Sequence, residues 1–515
     1  SPDGTRLASD DGNARLRIWD VATGKGIRAL DGFTREVTSL GWTPDGKYVA
    51  GSSKDQTTRL WDSNTGKERV RLYGLGGSDA AAAQEEWAVI TPEGAFDGTE
   101  TALRRMHWSV GGQPLALETF YQNYFSSRLL ASALGYNGAA GDSSKPTPVQ
   151  IETDVAKGTP PTVAIITPAA ATTYAVEVTV EATEQGGGGV KAIRLYQNGR
   201  LVGGSSLPVR GIAVESVSGP VTTKKFAVTL TPGENILRAV AYSRTDLESK
   251  SAEAKVTYAA PAAAKPTLHV LTIGVNVYKD ATMNLSYARP DAEAVADFFG
   301  KMSPTLFGKV DITRLVDAEA SGAAIRKSFA ALSDATKPED VAFVYLAGHG
   351  QAVDDGWYFL PADARQMALD ERVKEFGISG KEIDALIGKI PARKIVLVYD
   401  ACKSGAALGG GLRGGVSDEQ ALGMLARAQG IHILTASTGQ QYAAEVKELG
   451  HGILTYALLE GLNGKASSSG STDVFIRNLL SYVEDRVPVL TKQYRGSEQY
   501  PVPFERGQNF PLVSK

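Results

Sequence analysis

The chain has 515 residues, 43 % of them apolar, with 54 Lys and Arg against 57 Asp and Glu for a formal charge of −3 at neutral pH. That length exceeds one hydrophobic core and predicts about three to four domains, and the balanced charge offers no basic field for nucleic acid or anionic lipid, so partners are expected to be proteins or peptides. The single cysteine rules out an internal disulfide framework without fixing the compartment, and no segment reaches the roughly 18 to 20 consecutive apolar residues of a membrane helix, so a soluble cytoplasmic or periplasmic protein is expected.

The chain opens on an internal repeat. Ser1-Pro-Asp-Gly4 recurs as Thr43-Pro-Asp-Gly46 and Arg17-Ile-Trp-Asp20 as Arg59-Leu-Trp-Asp62, each 42 residues on, and Thr23-Gly-Lys25 and Thr65-Gly-Lys67 keep the same register. A unit of this length, with a Pro-Asp-Gly turn and a strand closing on Trp-Asp, resembles the WD-repeat family, in which one repeat makes one four-stranded propeller blade. Blades bury their faces only against neighbours. Residues 1–74 are therefore expected to end a longer β-propeller whose earlier blades are missing here or supplied otherwise, and Ser1 does not look like a natural start. A short β-meander is the competing reading.

Residues 85–137 predict a connector, with a hairpin around Trp87 to Gly94 and a helix from Leu115 to Leu134. Its stripe of Leu117, Phe120, Tyr121, Tyr124, Phe125 and Leu129 reads as a core face. A polar linker follows. From 158 to 258 short alternating strands, one pair joined by Asn198-Gly199, predict an antiparallel sandwich of immunoglobulin-like architecture. It carries no evident chemistry and reads as a spacer or recognition module. Beyond Ala259-Ala-Pro261 the period changes again. Apolar runs at Leu268 to Asn276, Asp311 to Val316, Val341 to Gly348, Ile395 to Tyr399 and Ile431 to Ala436 alternate with helical patterns at 290–299, 324–332, 380–390, 419–427 and 453–462. That alternation predicts an α/β/α sandwich over 266–515, with its core in 266–465.

Cys402 and His349 each stand just past the end of a buried strand in this last domain, where an open α/β sheet binds its ligands. A thiolate attacks a peptide carbonyl well when an imidazole keeps it ionised and later protonates the leaving amine. His107 lies in another region, His269 and His432 fall inside strand patterns, and His451 begins a helix. His349 alone sits between two glycines, which allow close approach of backbone and substrate.

The segments Leu271-Thr-Ile-Gly-Val-Asn276, Tyr345-Leu-Ala-Gly-His-Gly350 and Val398-Tyr-Asp-Ala-Cys-Lys-Ser-Gly405 resemble the caspase superfamily, specifically metacaspases and bacterial orthocaspases. The resemblance implies a cysteine endopeptidase with Cys402 as nucleophile, His349 as general base and acid, and an oxyanion hole from the backbone N–H groups of Gly350 and Cys402. It also implies a primary pocket lined by Asp400 and Asp291. Two carboxylates in one cleft favour a cationic side chain, so cleavage is expected after Arg or Lys. The competing readings are a helix N-cap or loop ligand for Asp400 and a first-turn carboxylate for Asp291.

Two departures stand out: Lys403 replaces the histidine that follows the nucleophile in most relatives, and Ala347 replaces a serine common before Gly-His-Gly. In the glycine-rich stretch Gly409 to Gly415, Arg413 is the first candidate for self-cleavage and Arg427 the second. Many metacaspases use calcium, but no Asp-x-Asp-x-Asp-Gly loop with its spaced glutamate is present, so no cofactor or metal ligand is assigned and calcium stays open. The propeller and sandwich are expected to capture protein partners. The competing function is a catalytically weak or inactive caspase-like scaffold acting through protein–protein contact.

Overall fold

A computed structural model describes residues 1–75, 86–126, 129–135, 151–202, 220–259, 265–302, 305–353, 356–365, 369–401, 426–427, 429–436, 445–468, 470–496 and 499–514. These divide into two units. One comprises Ser1–Pro160, Gln185–Gly188 and Ser243–Lys250, the other Pro161–Glu184, Gly189–Tyr242 and Ser251–Lys515.

In the first unit the repeat produces the same local structure twice. Strands β1 (Arg6–Asp10), β2 (Leu16–Asp20) and β3 (Gly26–Leu30) form one antiparallel sheet, and β4 (Val37–Trp42), β5 (Tyr48–Ser53), β6 (Thr57–Asp62) and β7 (Glu68–Leu75) begin another. Both Pro-Asp-Gly turns put their glycine in the left-handed region, Gly4 at φ 71° and Gly46 at φ 69°, where a Cβ would be strained. In each turn the aspartate accepts the N–H two residues on, Thr5 to Asp3 and Lys47 to Asp45, at 3.0 Å. Trp61 is 1 % exposed, donates its indole N–H to the Asp31 carbonyl at 3.1 Å and meets the Phe33 ring edge-on.

The described residues do not close a propeller. Instead β8 (Glu86–Ile90) and β9 (Phe96–Gly98) pair onto β7 and extend the second sheet to six strands. After α1 (Glu100–Arg105) and the hairpin β10 (His107–Val110) and β11 (Gln113–Ala116), the aromatic stripe is not one helix. A 3₁₀ turn at Leu117–Phe120 leads into α2 (Tyr121–Tyr124), and α3 (Leu129–Leu134) starts afresh. The break comes at Phe125, which turns extended and bridges to Phe96. Phe120, Tyr121 and Phe125 are buried, as a core face requires. Helix α4 (Ile151–Ala156) precedes the sandwich.

The sandwich has two sheets. One orders β12 (Thr159–Ile166), β14 (Ala175–Gln185) and β17 (Val221–Thr229); the other orders β13 (Ala170–Ala171), β19 (Ala252–Tyr258), β18 (Gly233–Tyr242), β15 (Ala192–Gln197) and β16 (Arg200–Leu201). Inward residues at alternate positions, Val178, Val180 and Ala182 against Leu237, Ala239 and Ala241, make its core.

The C-terminal domain is a six-stranded sheet with helices on both faces. Its order is β21 (Lys309–Val316), β20 (Thr267–Gly274), β22 (Val341–Gly348), β26 (Lys394–Ala401), β27 (His432–Thr435) and β31 (Val502–Glu505), with only β31 antiparallel. Every residue of β22 is buried, which is why it reads as an unbroken apolar run rather than an alternation. One face packs α6 (Gly322–Ala335) and α8 (Gly380–Lys389) through Ile325, Phe329, Ile383 and Ile387. The other packs α5 (Ala288–Lys301), α9 (Ile453–Glu460) and α10 (Ile476–Arg495) through Val295, Phe299, Leu458, Leu479 and Val483. The domain also contains a small sheet of β23 (Gly350–Val353), β24 (Gly356–Phe359) and β25 (Ile378–Ser379), helix α7 (Asp370–Phe376), and the pairs β28 (Glu445–Val446) with β29 (His451–Gly452) and β30 (Asp473–Phe475) with β32 (Pro511–Ser514). The core therefore runs past 465: α10 and β31 complete it. The helix expected at 419–427 lies almost wholly outside the described residues.

Candidate active site

Two adjacent parallel strands define the site. In the register of β22 and β26, Ala347 pairs with Asp400 and Gly348 with Ala401, so His349 and Cys402 are each the next residue beyond a matched pair. Neighbouring strands lie about 4.8 Å apart. Cys402 itself, with Lys403 and Arg413, lies outside the described residues.

The glycines flanking His349 are set by their surroundings. Gly348 has φ 154°, and a Cβ there would fall 2.9 Å from the Tyr278 hydroxyl oxygen. At Gly350, which opens β23, a Cβ would lie 2.4 Å from the Trp357 ring. His349 is fixed at both ends: its backbone N–H donates to Tyr278 Oη at 2.8 Å, and its Nε2 lies 2.7 Å from the Met283 carbonyl oxygen. A carbonyl only accepts, so Nε2 carries the ring proton and Nδ1 is the acceptor nitrogen of the neutral imidazole. Tyr278 also packs its ring against the imidazole at 5.3 Å.

Beside this pair stand buried Asp291 and half-buried Asp400. Gly274 ends β20 without a side chain, where a Cβ would be 2.4 Å from the Ala288 carbonyl; this lets the first turn of α5 lie against the strand end and brings Asp291 inward. Asp291 is 2 % exposed and accepts hydrogen bonds from His451 Nδ1 at 2.6 Å and the Gly452 N–H at 3.0 Å, so it is not a simple helix-terminus carboxylate. Asp400 Oδ2 accepts from the hydroxyls of Tyr345 at 3.1 Å and Thr455 at 2.7 Å, and those two hydroxyls are 2.5 Å apart. Both carboxylates border one point: a Cβ at Gly452 would lie 2.9 Å from Asp291 Oδ2 and 3.4 Å from Asp400 Oδ2.

Burial first, and then the charge of Asp400, raise the Asp291 carboxyl against the opposing hydrogen bonds of His451 and Gly452, to about 7 in all. Tyr345 is held well above its ordinary value, first by burial and then by the two carboxylates. Sequence reasoning missed His451, Tyr345, Thr455, Tyr278 and Met283. His451 was read only as the start of a helix, and Tyr345 and Thr455 were hidden in apolar runs. The one available signal was polar atoms placed where a fully buried strand and helix must satisfy them.

Arg427, the second candidate for self-cleavage, is 6 % exposed. Among the described residues no group of three or more His, Cys, Asp or Glu is arranged to hold a metal ion, and no step below is routed through calcium.

Residues 267–509 match the family model for the caspase domain. This part of the chain is similar to the caspase domain. Residues 24–62 match the WD domain, G-beta repeat, and residues 161–252 the bacterial Ig domain. The caspase domain supports a cysteine-type peptidase and implies protein substrates; the WD repeat suggests protein interactions. No helix among the described residues is long and apolar enough to cross a membrane. No curated protein matches the chain. A crystal structure of protein GSU0716 from Geobacter sulfurreducens is similar over 48 % of this chain and 97 % of that one, at 16 % identity and a TM-score of 0.33, a likeness too slight to bear on function.

Proposed function

We propose that the caspase domain hydrolyses peptide bonds after Arg or Lys, with Cys402 as nucleophile and His349 as general base and acid. The observation that carries this reading is the strand register that puts His349 and Cys402 each one residue beyond the Gly348–Ala401 pair, with the His349 ring oriented by the hydrogen bond from Nε2 to the Met283 carbonyl. Nδ1 takes the thiol proton, the sulfur bonds to the scissile carbonyl carbon, and the carbonyl π pair moves to oxygen. Backbone N–H groups of Gly350 and Cys402 would hold that oxyanion, and losing one such donor costs about 3 to 4 kcal/mol. Collapse expels the amine, protonated by the imidazolium, and leaves a thioester that water hydrolyses with His349 again as base.

Asp291 and Asp400 would form the primary pocket. Two carboxylates around one point match a guanidinium or ammonium and repel an acidic side chain. Lys403 would add positive charge beside the thiolate, and Ala347 offers no hydroxyl to the pocket. Arg413 is the processing candidate, and the repeat region is the module for protein partners. The test is hydrolysis of Arg-, Lys- and Asp-ended fluorogenic peptides, with and without calcium, beside Cys402→Ala. Arg or Lys peptides should be cleaved by the parent chain alone. Activity no greater than that of Cys402→Ala would end the protease reading, and cleavage only after Asp would end the pocket assignment.

A further inference from the structure

The Asn198-Gly199 turn has a role that neither the spacer nor the recognition reading of the sandwich includes. It is a two-residue hairpin loop between β15 and β16, with Gln197 paired to Arg200 and both loop residues at positive φ, 52° and 83°, the conformation that Asn-Gly favours. Arg200, the next residue, is 2 % exposed. Its Nη1 donates to the backbone carbonyl of Gln429 at 2.7 Å and to Gln429 Oε1 at 2.8 Å, and its Nη2 to the Ile387 carbonyl near the end of α8 at 3.1 Å. Gln429 Nε2 donates onward to Asp384 Oδ1 at 3.2 Å. The backbones touch as well: a Cβ at Gly430 would stand 1.8 Å from the Gly199 carbonyl oxygen. Arg393 Nη2 reaches the Thr229 carbonyl from the caspase side at 3.4 Å.

A guanidinium leaves water only where fixed acceptors and opposite charge replace its hydration. Each acceptor named for Arg200 belongs to the caspase domain, so the side chain is satisfied only while the two modules are joined. The place it grips matters for the fold. Gln429 and Gly430 lead directly into β27, and because β26 and β27 are parallel, the chain leaving Ala401 with Cys402 must return to the far end of the sheet before β27 can start. Arg200 holds that return point.

We propose that the sandwich is an obligate part of the caspase unit, its β15–β16 hairpin acting through Arg200 as an internal clamp on the start of β27, and that this hairpin tip is closed to outside partners.

The test places a specific protease site at 260–264 in the full chain, cleaves it after folding, and follows the fragments by size-exclusion chromatography. Fragments of the parent chain should co-elute, those of Arg200→Met should separate, and those of Arg200→Lys should separate partially. Hydrogen exchange supplies the control: peptides over 192–201 and 429–435 should exchange at least about tenfold faster in Arg200→Met, while 309–316 on the opposite sheet edge stays protected, which shows that the variant is folded. Parent fragments that part on cleavage, or Arg200→Met fragments that stay together with unchanged exchange at 429–435, would overturn the clamp. Neither readout depends on peptide hydrolysis, so an inactive parent chain would count against the protease reading and leave the clamp to be decided here.

Discussion

At the scale of single residues, Asp291 combines two properties that pull in opposite directions. In the proposed pocket its burial would offer a substrate a charge that water screens little, and the same burial raises its carboxyl to about 7. As pH falls through that value the carboxyl protonates and a cationic substrate loses its counter-charge. KM for an Arg peptide is therefore expected to rise on acidification from pH 8 to 6. Asp291→Asn should raise KM by about tenfold to a hundredfold at pH 8, since a hydrogen bond to a charged group contributes about 1.5 to 3 kcal/mol, with kcat changed little because ground state and transition state lose the contact equally. A KM within twofold of the parent value would remove Asp291 from the pocket.

At the scale of elements, the site depends on glycines that let β22, β23 and β24 approach their neighbours. Gly350→Ala would drive a methyl group to 2.4 Å from the ring of Trp357, a residue 1 % exposed and without room to yield. Overpacking of this kind costs about 1 to 3 kcal/mol. Thermal unfolding should show the loss as a melting point lower by several degrees, together with a fall in kcat as the start of β23 moves. An unchanged melting point would mean that the ring relocates freely. Apolar periodicity disclosed β20, β22, β26 and β27 because each is buried on both faces. It did not disclose α10 and β31 as core: α10 has polar residues on its outer face and a proline at 488, and β31 is a four-residue edge strand that carries Pro503.

For the whole molecule, two buried acids of the second unit, Asp291 and Asp384, and the half-buried Glu505 share one sign. Burial raises Asp291 and Glu505 to about 7 and Asp384 to about 6. Each binds its proton more tightly folded than unfolded, so between an ordinary carboxyl value near 4 and the raised value the folded state carries the extra protons, and stability falls as pH rises across that whole window. His432 acts oppositely: burial lowers it to about 4, the unfolded chain binds the proton first, and stability is lost on acidification below its ordinary value of about 6.5. Three acids outweigh one histidine, so the denaturant midpoint of this unit is expected to fall as pH rises from about 4.5 to 7 and to level off above that. A midpoint flat across that range would show that these acids titrate alike in both states. Combined with the pocket chemistry, acidification toward pH 6 should stabilise the fold while weakening its hold on a basic substrate.

The sequence by itself determined whatever is local or periodic. A 42-residue repeat fixed the turns at Gly4 and Gly46, Asn198-Gly199 fixed a hairpin, and uninterrupted apolar runs fixed the parallel sheet whose strand ends lead to His349 and Cys402. Only the tertiary structure decided which polar groups meet, because hydrogen-bond partners distant in sequence leave no periodic trace. His451 with Asp291, Thr455 with Asp400, Met283 with His349 and Arg200 with Gln429 are separated by between 55 and 229 residues. Burial of Arg427 belongs to the same class. Exposure is a property of the packed chain and not of an arginine.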